Sequence, residues 1–167
     1  MREPGGELYA EGIRELIISD RMKGMEPLAE LMLFCAARSQ VMATRVRPLL
    51  EQGSWVLTDR NLLSSIIYQG CVKGVPLKDV EDVCKIAVGD CLPDLILVLD
   101  VPEDVSLQRR RVAGGVNRFE EEGVTFHKRI NQAYRDQGKM RGYPTIDGSA
   151  SILKVTDELW EFVSPLL

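Results

Sequence analysis

The sequence predicts an α/β layered fold built on a parallel sheet. Three observations carry the prediction. Short apolar runs of strand type alternate with stretches of helical periodicity. The run from Asp94 through Leu95, Ile96, Leu97, Val98 and Leu99 to Asp100 is continuously apolar between Pro93 and Pro102, which suits a strand buried on both faces. At 167 residues, 45% of them hydrophobic, one domain is long enough to bury a real core.

The elements follow in order. Residues 7–18 place Leu8, Ile13, Leu16 and Ile17 near helical spacing, and the polar stretch from Asp20 to Gly24 breaks the pattern. Residues 26–52 predict a long helix, with Leu28, Leu31, Met32, Cys35, Ala36 and Val41 on one side. Pro48 marks a kink or break near its end, and Gly53 stops it. Residues 54–58 predict a short strand ending at Asp59-Arg60. Residues 61–69 predict a short helix closed by Gly70, and 77–89 another helix. After the strand at 94–100 come a helix over 103–111, a Gly- and charge-rich loop over 112–123, and a helix to Gln137. A last short strand is expected at 143–147 and a last helix at 150–163. Three strands are few for so many helices.

Composition narrows the function. The chain carries 21 Lys+Arg against 25 Asp+Glu, a formal net charge of −4, which argues against broad nucleic-acid affinity. No apolar run approaches the length of a transmembrane helix, and Met1-Arg2-Glu3-Pro4-Gly5-Gly6 does not read as a secretory signal. Cys35, Cys71, Cys84 and Cys91 form no C-x-x-C pair. They read as buried or half-buried free thiols of a reducing, cytoplasmic compartment, and with a single His they argue against structural zinc.

Arginine is the informative residue. Arg2, Arg38, Arg60, Arg109, Arg110, Arg111 and Arg118 sit at element ends, in loops, or on the helix beside Phe34. The planar guanidinium binds phosphate oxygens in pairs. Asp59 and Asp100 fall at the carboxyl ends of expected strands, where α/β sheets bind ligands and a carboxylate can hold Mg²⁺. Any one of these arginines alone reads as a solvated surface charge; the joint pattern points to phosphate. Yet neither G-x-x-x-x-G-K-[ST] nor G-x-G-x-x-G occurs in the 167 residues.

Five segments resemble one family. Arg2-Glu3-Pro4-Gly5-Gly6 resembles the R-E-P-G-G segment of thymidylate kinases, and Leu33 to Gln40 their F-x-A-x-R helix. Asp59-Arg60 with Ser64, Tyr68, Gln69 and Gly70 resembles their D-R-x-x-x-S-x-x-A-Y-Q-G segment. Pro93 to Val101 resembles their P-D-L-x-x-x-L-D-V strand, and Arg118 with Glu120 the end of their lid. The order is the family's, over nearly the whole chain. The resemblance implies a P-loop NTPase-like three-layer fold, one domain over 1–167 with a lid at about 109–123, and transfer of the ATP γ-phosphoryl group to dTMP. It also implies Mg²⁺, with Asp59 its holder, and a homodimer packed through helices. Carried over by position, Phe34 stacks on thymine and Arg38 bonds its edge. Arg2 and Arg60 hold the dTMP phosphate, while Ser64, Tyr68 and Gln69 line the sugar and base side. Arg109, Arg111 and Arg118 close over ATP, and Arg60, Arg111 and Arg118 are the catalytic candidates.

The departures are specific. Asn61, Ile67 and Asn117 replace an aromatic or His, a small residue and an Asp. Ala113 breaks the alternation of lid arginines begun by Arg109 and Arg111, leaving Arg110 and Arg118 as alternatives. The family's opening strand, phosphate loop, first helix and second strand precede R-E-P-G-G, whereas here Met1 stands directly before Arg2. The expectation is an incomplete, N-terminally truncated version, inactive by itself. The alternatives are a non-catalytic relative that binds dTMP or pairs with a full-length subunit, and a nucleoside monophosphate kinase of different base choice.

Overall fold

The computed structural model describes residues 1–113, 119 and 122–167, excepting the side chains of 110–113. They form two compact units, Met1–Leu92 with Phe119, and Pro93–Ala113 with Glu122–Leu167.

The first unit is helical. Helix α1 (Leu8–Ile18) begins where the Glu7 carboxylate accepts from the Tyr9 and Ala10 amides at 3.0 and 3.2 Å, satisfying donors that the first turn leaves open. Helix α2 (Pro27–Val41) starts with proline in the first turn, where a missing N–H does no harm. It is buried on two sides. Leu31 and Cys35 pack with Ile66, Val80 and Cys84, while Ala37 and Val41 pack with Ala10, Val46 and Val88.

The long helix expected over 26–52 is interrupted. A π turn, Met42–Val46, separates α2 from α3 (Arg47–Glu51). Pro48 explains the interruption: it has no N–H, and its ring would crowd the carbonyl of Thr44 in a regular helix, so the turn before it widens. The helix expected over 61–69 is likewise divided. Helix α4 (Leu62–Ser65) runs into a second π turn, Ile66–Val72, ahead of α5 (Leu77–Val88). Gly70 lies inside that turn instead of closing a helix, because a Cβ there would meet Leu77 Cδ2 at 2.6 Å.

The strand expected over 54–58 does not form. Only its end is paired, through an isolated parallel bridge between Arg2 and Asp59. The Asp59 amide donates to the Met1 carbonyl (2.7 Å), the Glu3 amide to the Asp59 carbonyl (3.1 Å), and the Met1 ammonium to the Leu57 carbonyl. A strand exists only where a ladder partner exists. Among the described residues, the segment leaves Trp55 exposed and Leu57 86% exposed.

The second unit holds the sheet. Strands β1 (Val98–Asp100) and β2 (Thr145–Asp147) pair in parallel, with Val98 opposite Thr145 and Asp100 opposite Asp147. Between them run α6 (Glu103–Ala113) and α7 (Val124–Arg141), and α8 (Ile152–Val163) follows. Gly138 lets α7 approach β1 closely: a Cβ would meet Val98 Cγ2 at 3.4 Å. The expected buried run at 94–100 is thus a three-residue strand with one described neighbour. Val98 is buried, Leu95 to Leu97 are half-buried, and Leu99 is 51% exposed.

Leu31, fully buried where α2 meets α5, tests the first unit's core. Leu31→Ala is expected to lower unfolding free energy by about 2–5 kcal/mol. Urea titration checks it, and a loss under about 1 kcal/mol would show that this face is not close-packed.

Candidate functional site

The residues that open the chain form a latch. The exposed Arg2 places Nη2 at 3.2 Å from both carboxylate oxygens of Glu11, and Glu11 Oε1 accepts the Gly6 amide at 2.7 Å. Gly5 adopts φ 126°, and a Cβ there would stand 2.5 Å from Glu11 Oε1. Only glycine takes that backbone without strain. The Gly6 amide, then the Arg2 guanidinium, hold the Glu11 carboxyl below the usual carboxylate range.

The bridge at Asp59 sets Arg60 one residue beyond Arg2's backbone partner. Arg60 is the sole non-glycine residue with positive φ among those described, at 74°. The Thr58 hydroxyl steadies it by donating to the Arg60 carbonyl at 3.0 Å. A left-handed arginine costs about 1 kcal/mol and needs such support.

Arg38 lies deeper, 3% exposed. Its Nε donates to Glu3 Oε2 at 2.7 Å and its Nη2 to Ser65 Oγ at 3.1 Å. Its Nη1 lies 3.7 Å from Cys35 Sγ and 3.5 Å from Cys84 Sγ. Burial pushes the Glu3 carboxyl up against the pull of the guanidinium. For Arg38, burial acts downward, but Glu3 and the sulfurs outweigh it, and the guanidinium stays charged. Three segments singled out in the sequence, around residues 3, 38 and 65, thus meet at one cation.

Phe34 stands one turn before Arg38 on α2, half-buried. Its ring centroid is 6.1 Å from that of Phe119, tilted by 58°, and Tyr68 meets Phe119 edge-on at 6.3 Å. Lys73 Nζ lies 5.1 Å from the Phe119 centroid, within reach of a cation–π attraction. One turn before Phe34, the fully buried Glu30 accepts from Gln69 Nε2 at 2.8 Å and from Lys73 Nζ at 2.9 and 3.0 Å. The π turn Ile66–Val72 carries both Tyr68 and Gln69.

Arg2, Phe34, Arg38, Asp59, Arg60, Ser64, Tyr68 and Gln69 all belong to the first unit. Arg38 and Gln69 point inward, each bonded to a buried acid. Arg109 lies in the second unit, its Nη1 donating to the Gly148 carbonyl at 2.7 Å. The Arg111 side chain and Arg118 lie outside the described residues, as do residues 114–117, 120 and 121 of the expected lid. Sequence reasoning missed the parts of Glu11, Glu30, Ser65, Lys73 and Phe119. Glu30 had a signal, standing four residues before Phe34 on the same helix face; Phe119 had none. Asp59 is exposed, and among the described residues no three metal-ligating side chains converge.

A family profile described as thymidylate kinase matches residues 1–159. The protein named thymidylate kinase in Nitrobacter hamburgensis is 40% identical over 164 residues, covering 95% of this chain and 71% of its own. Those of Syntrophotalea carbinolica and Pseudomonas putida are 35% and 38% identical, each over 95% of this chain and covering 77% and 76% of their own.

Two outcomes test the geometry. Glu30→Ala is expected to cost about 3 kcal/mol, because it strands Lys73 and Gln69 without their acid, and denaturant unfolding reads it. The Glu11 latch has a pH sign. A carboxyl with a lowered folded pKa stabilises above its unfolded value and loses that contribution as pH falls through the folded one. Protection of the Gly6 amide from hydrogen exchange should fall as pH drops through the carboxylate range, and Glu11→Gln should abolish that dependence.

Proposed function

This chain belongs to the thymidylate kinase family of phosphotransferases, and we propose that its first unit binds dTMP as the acceptor of the ATP γ-phosphoryl group. The observation that supports this most is the meeting of Glu3, Arg38 and Ser65 one helical turn from Phe34. The three segments carrying that contact are those that resemble the family's acceptor side.

Phe34 offers a flat face to the pyrimidine, while Phe119 and Tyr68 enclose its surroundings. Arg38 frames the base edge. Its contacts to Glu3, Ser65 and the two sulfurs use at most four of its five N–H groups. Gln69, oriented by Glu30, works from the same side, and Ser64 and Tyr68 line the sugar. Arg2 and Arg60, both exposed and joined through the bridge at Asp59, hold the dTMP phosphate. Phosphoryl transfer depends on such positioning and on charge neutralisation. Arg109, Arg111 and Arg118 serve the ATP side, with Arg60, Arg111 and Arg118 at the transferring group. Asp59 offers an exposed carboxylate, and one carboxylate suffices for Mg²⁺ held mainly by nucleotide phosphates. The ion would neutralise phosphate charge there. The family match runs through both units, so we treat residues 1–167 as one domain. We extend the proposal to a cytoplasmic homodimer packed through helices, in keeping with the exposed Leu8, Tyr9 and Met32 of α1 and α2.

These residues contain no phosphate-loop motif. The 167-residue polypeptide alone is therefore expected to bind dTMP without turning over ATP. Calorimetry with dTMP, dUMP and dCMP, beside an assay for dTDP, tests this. Phe34→Ala should weaken dTMP binding about 5- to 150-fold, the worth of one stacked base. A preference for dCMP, or an unchanged Kd in Phe34→Ala, would overturn the assignment of the base site.

A further inference from the structure

Two cysteines rest against the guanidinium that orders the site. Cys35 on α2 and Cys84 on α5 are 5% and 2% exposed, and their sulfurs lie 3.8 Å apart. Arg38 Nη1 touches both, and Ser65 links them to the same cation, accepting from Arg38 and bonding Cys84. We propose that Cys35 and Cys84 are a modification site, closing to a disulfide under hydrogen peroxide and so disturbing Arg38 and weakening thymidylate binding. The second consequence rests on the dTMP reading above; the bond itself does not.

Buried structural thiols in apolar surroundings are inert, whereas a cation beside a thiol favours the reactive thiolate. Here the Cys35 hydrogen bond first, and then the Arg38 charge, hold the Cys84 thiol below the usual thiol range against the opposing effect of burial. The Cys84 sulfur at 3.8 Å and burial push the Cys35 thiol up. Cys84, nearer the guanidinium at 3.5 Å against 3.7 Å and bonded also to Ser65, is the attacking sulfur and Cys35 the resolving one. Glu3 faces the same guanidinium from the other side and limits how much charge it lends the sulfurs.

The chemistry balances. The Cys84 thiolate attacks one peroxide oxygen; an S–O bond forms, the O–O bond breaks, and hydroxide leaves and takes a proton from solvent. The Cys35 sulfur then attacks the sulfenic sulfur. An S–S bond forms, the S–O bond breaks, and the hydroxyl departs as water with the Cys35 proton. The two sulfurs together lose two electrons, and peroxide becomes two waters. The sulfurs must draw about 1.8 Å closer to reach bonding distance. That movement, and the loss of the thiolate, take from Arg38 Nη1 its negative neighbour. A small uncharged oxidant suits sulfurs this deeply placed; a tripeptide disulfide does not.

The test uses the 167-residue chain treated with hydrogen peroxide or, separately, oxidised glutathione. Peptide mass mapping then identifies linkages, and calorimetry measures dTMP binding. Peroxide should produce a Cys35–Cys84 linked peptide and the loss of two of the four free thiols. Glutathione disulfide should react far more slowly. The dTMP Kd should rise about tenfold, the scale of one weakened charge-assisted hydrogen bond, and return on reduction. Cys35→Ala and Cys84→Ser should lose the linked peptide, whereas Cys71→Ser and Cys91→Ser should retain both it and the peroxide-induced rise in Kd. If peroxide oxidises only Cys71 or Cys91, or links separate chains, the site is wrong. If the linked peptide forms and dTMP affinity is unchanged, the coupling to Arg38 is wrong. If neither form binds dTMP, the functional reading and the coupling fail together, while the linked peptide still decides the bond.

Discussion

The first unit is organised around a buried ion pair between Arg38 and Glu3. Taking both charges out of water is expensive, and such pairs add little net stability. What the pair does add is registry. Glu3 belongs to the segment with the Arg2 latch, Arg38 to α2, and Ser65 to the short helix that leads into the second π turn. Removing one partner leaves the other buried and unpaired, so these elements are tied into a single arrangement. The positions of Arg2, one residue before Glu3, and of Ser64, one before Ser65, follow from that arrangement.

A second buried acid repeats the device on the same helix. Glu30, Phe34 and Arg38 recur at intervals of four, so one strip of α2 carries an acid, a ring and a cation. Glu30 is satisfied by Lys73 and Gln69 from the π turn region. Phe34 is thereby flanked by two buried charge clusters, one at Glu30 and one at Arg38. Lys73 also reaches the Phe119 ring, which joins the aromatic group to the acid below it. A ring held this way gives a flat surface at small entropic cost, because its helix is fixed on both sides of it.

How much of this was legible depended on how local the cause was. Helices α1 and α5 were readable from periodicity to within a residue or two, since capping and apolar spacing are local. That Phe34 and Arg38 lie one turn apart on α2 was readable for the same reason. The last strand was readable too, since Thr145–Asp147 falls inside the expected 143–147, but the other two were not. Residues 54–58 and 94–100 have the composition of buried strands, but a strand is completed by a partner elsewhere in the chain. Among the described residues, 57–59 meet residues 1–3, and 98–100 meet residues 144–148, one neighbouring segment each. The burial of Arg38 was not readable, because its partners are distant in the chain: Glu3 is 35 positions away and Ser65 is 27. Ser64 was singled out where the neighbouring Ser65 makes the bond to Arg38, a difference of one step in helical phase. Pro48 was legible as a break, but not as a π turn, because the widening answers a clash with a carbonyl one turn earlier.

The site around Arg38 is finally a problem of charge. One guanidinium faces two acids, the Glu3 carboxyl and the Cys84 thiol, in a dry pocket where each charge is strongly felt. It cannot fully compensate both. Burial raises Glu3, while the bond from Cys35 and the guanidinium lower Cys84, so the two acids are drawn toward one another in proton affinity. An apolar pair at positions 35 and 84 would leave Glu3 as the one acid facing the guanidinium. The thiols therefore belong to the electrostatics of the cation that joins three segments of the chain, and their state bears on its position.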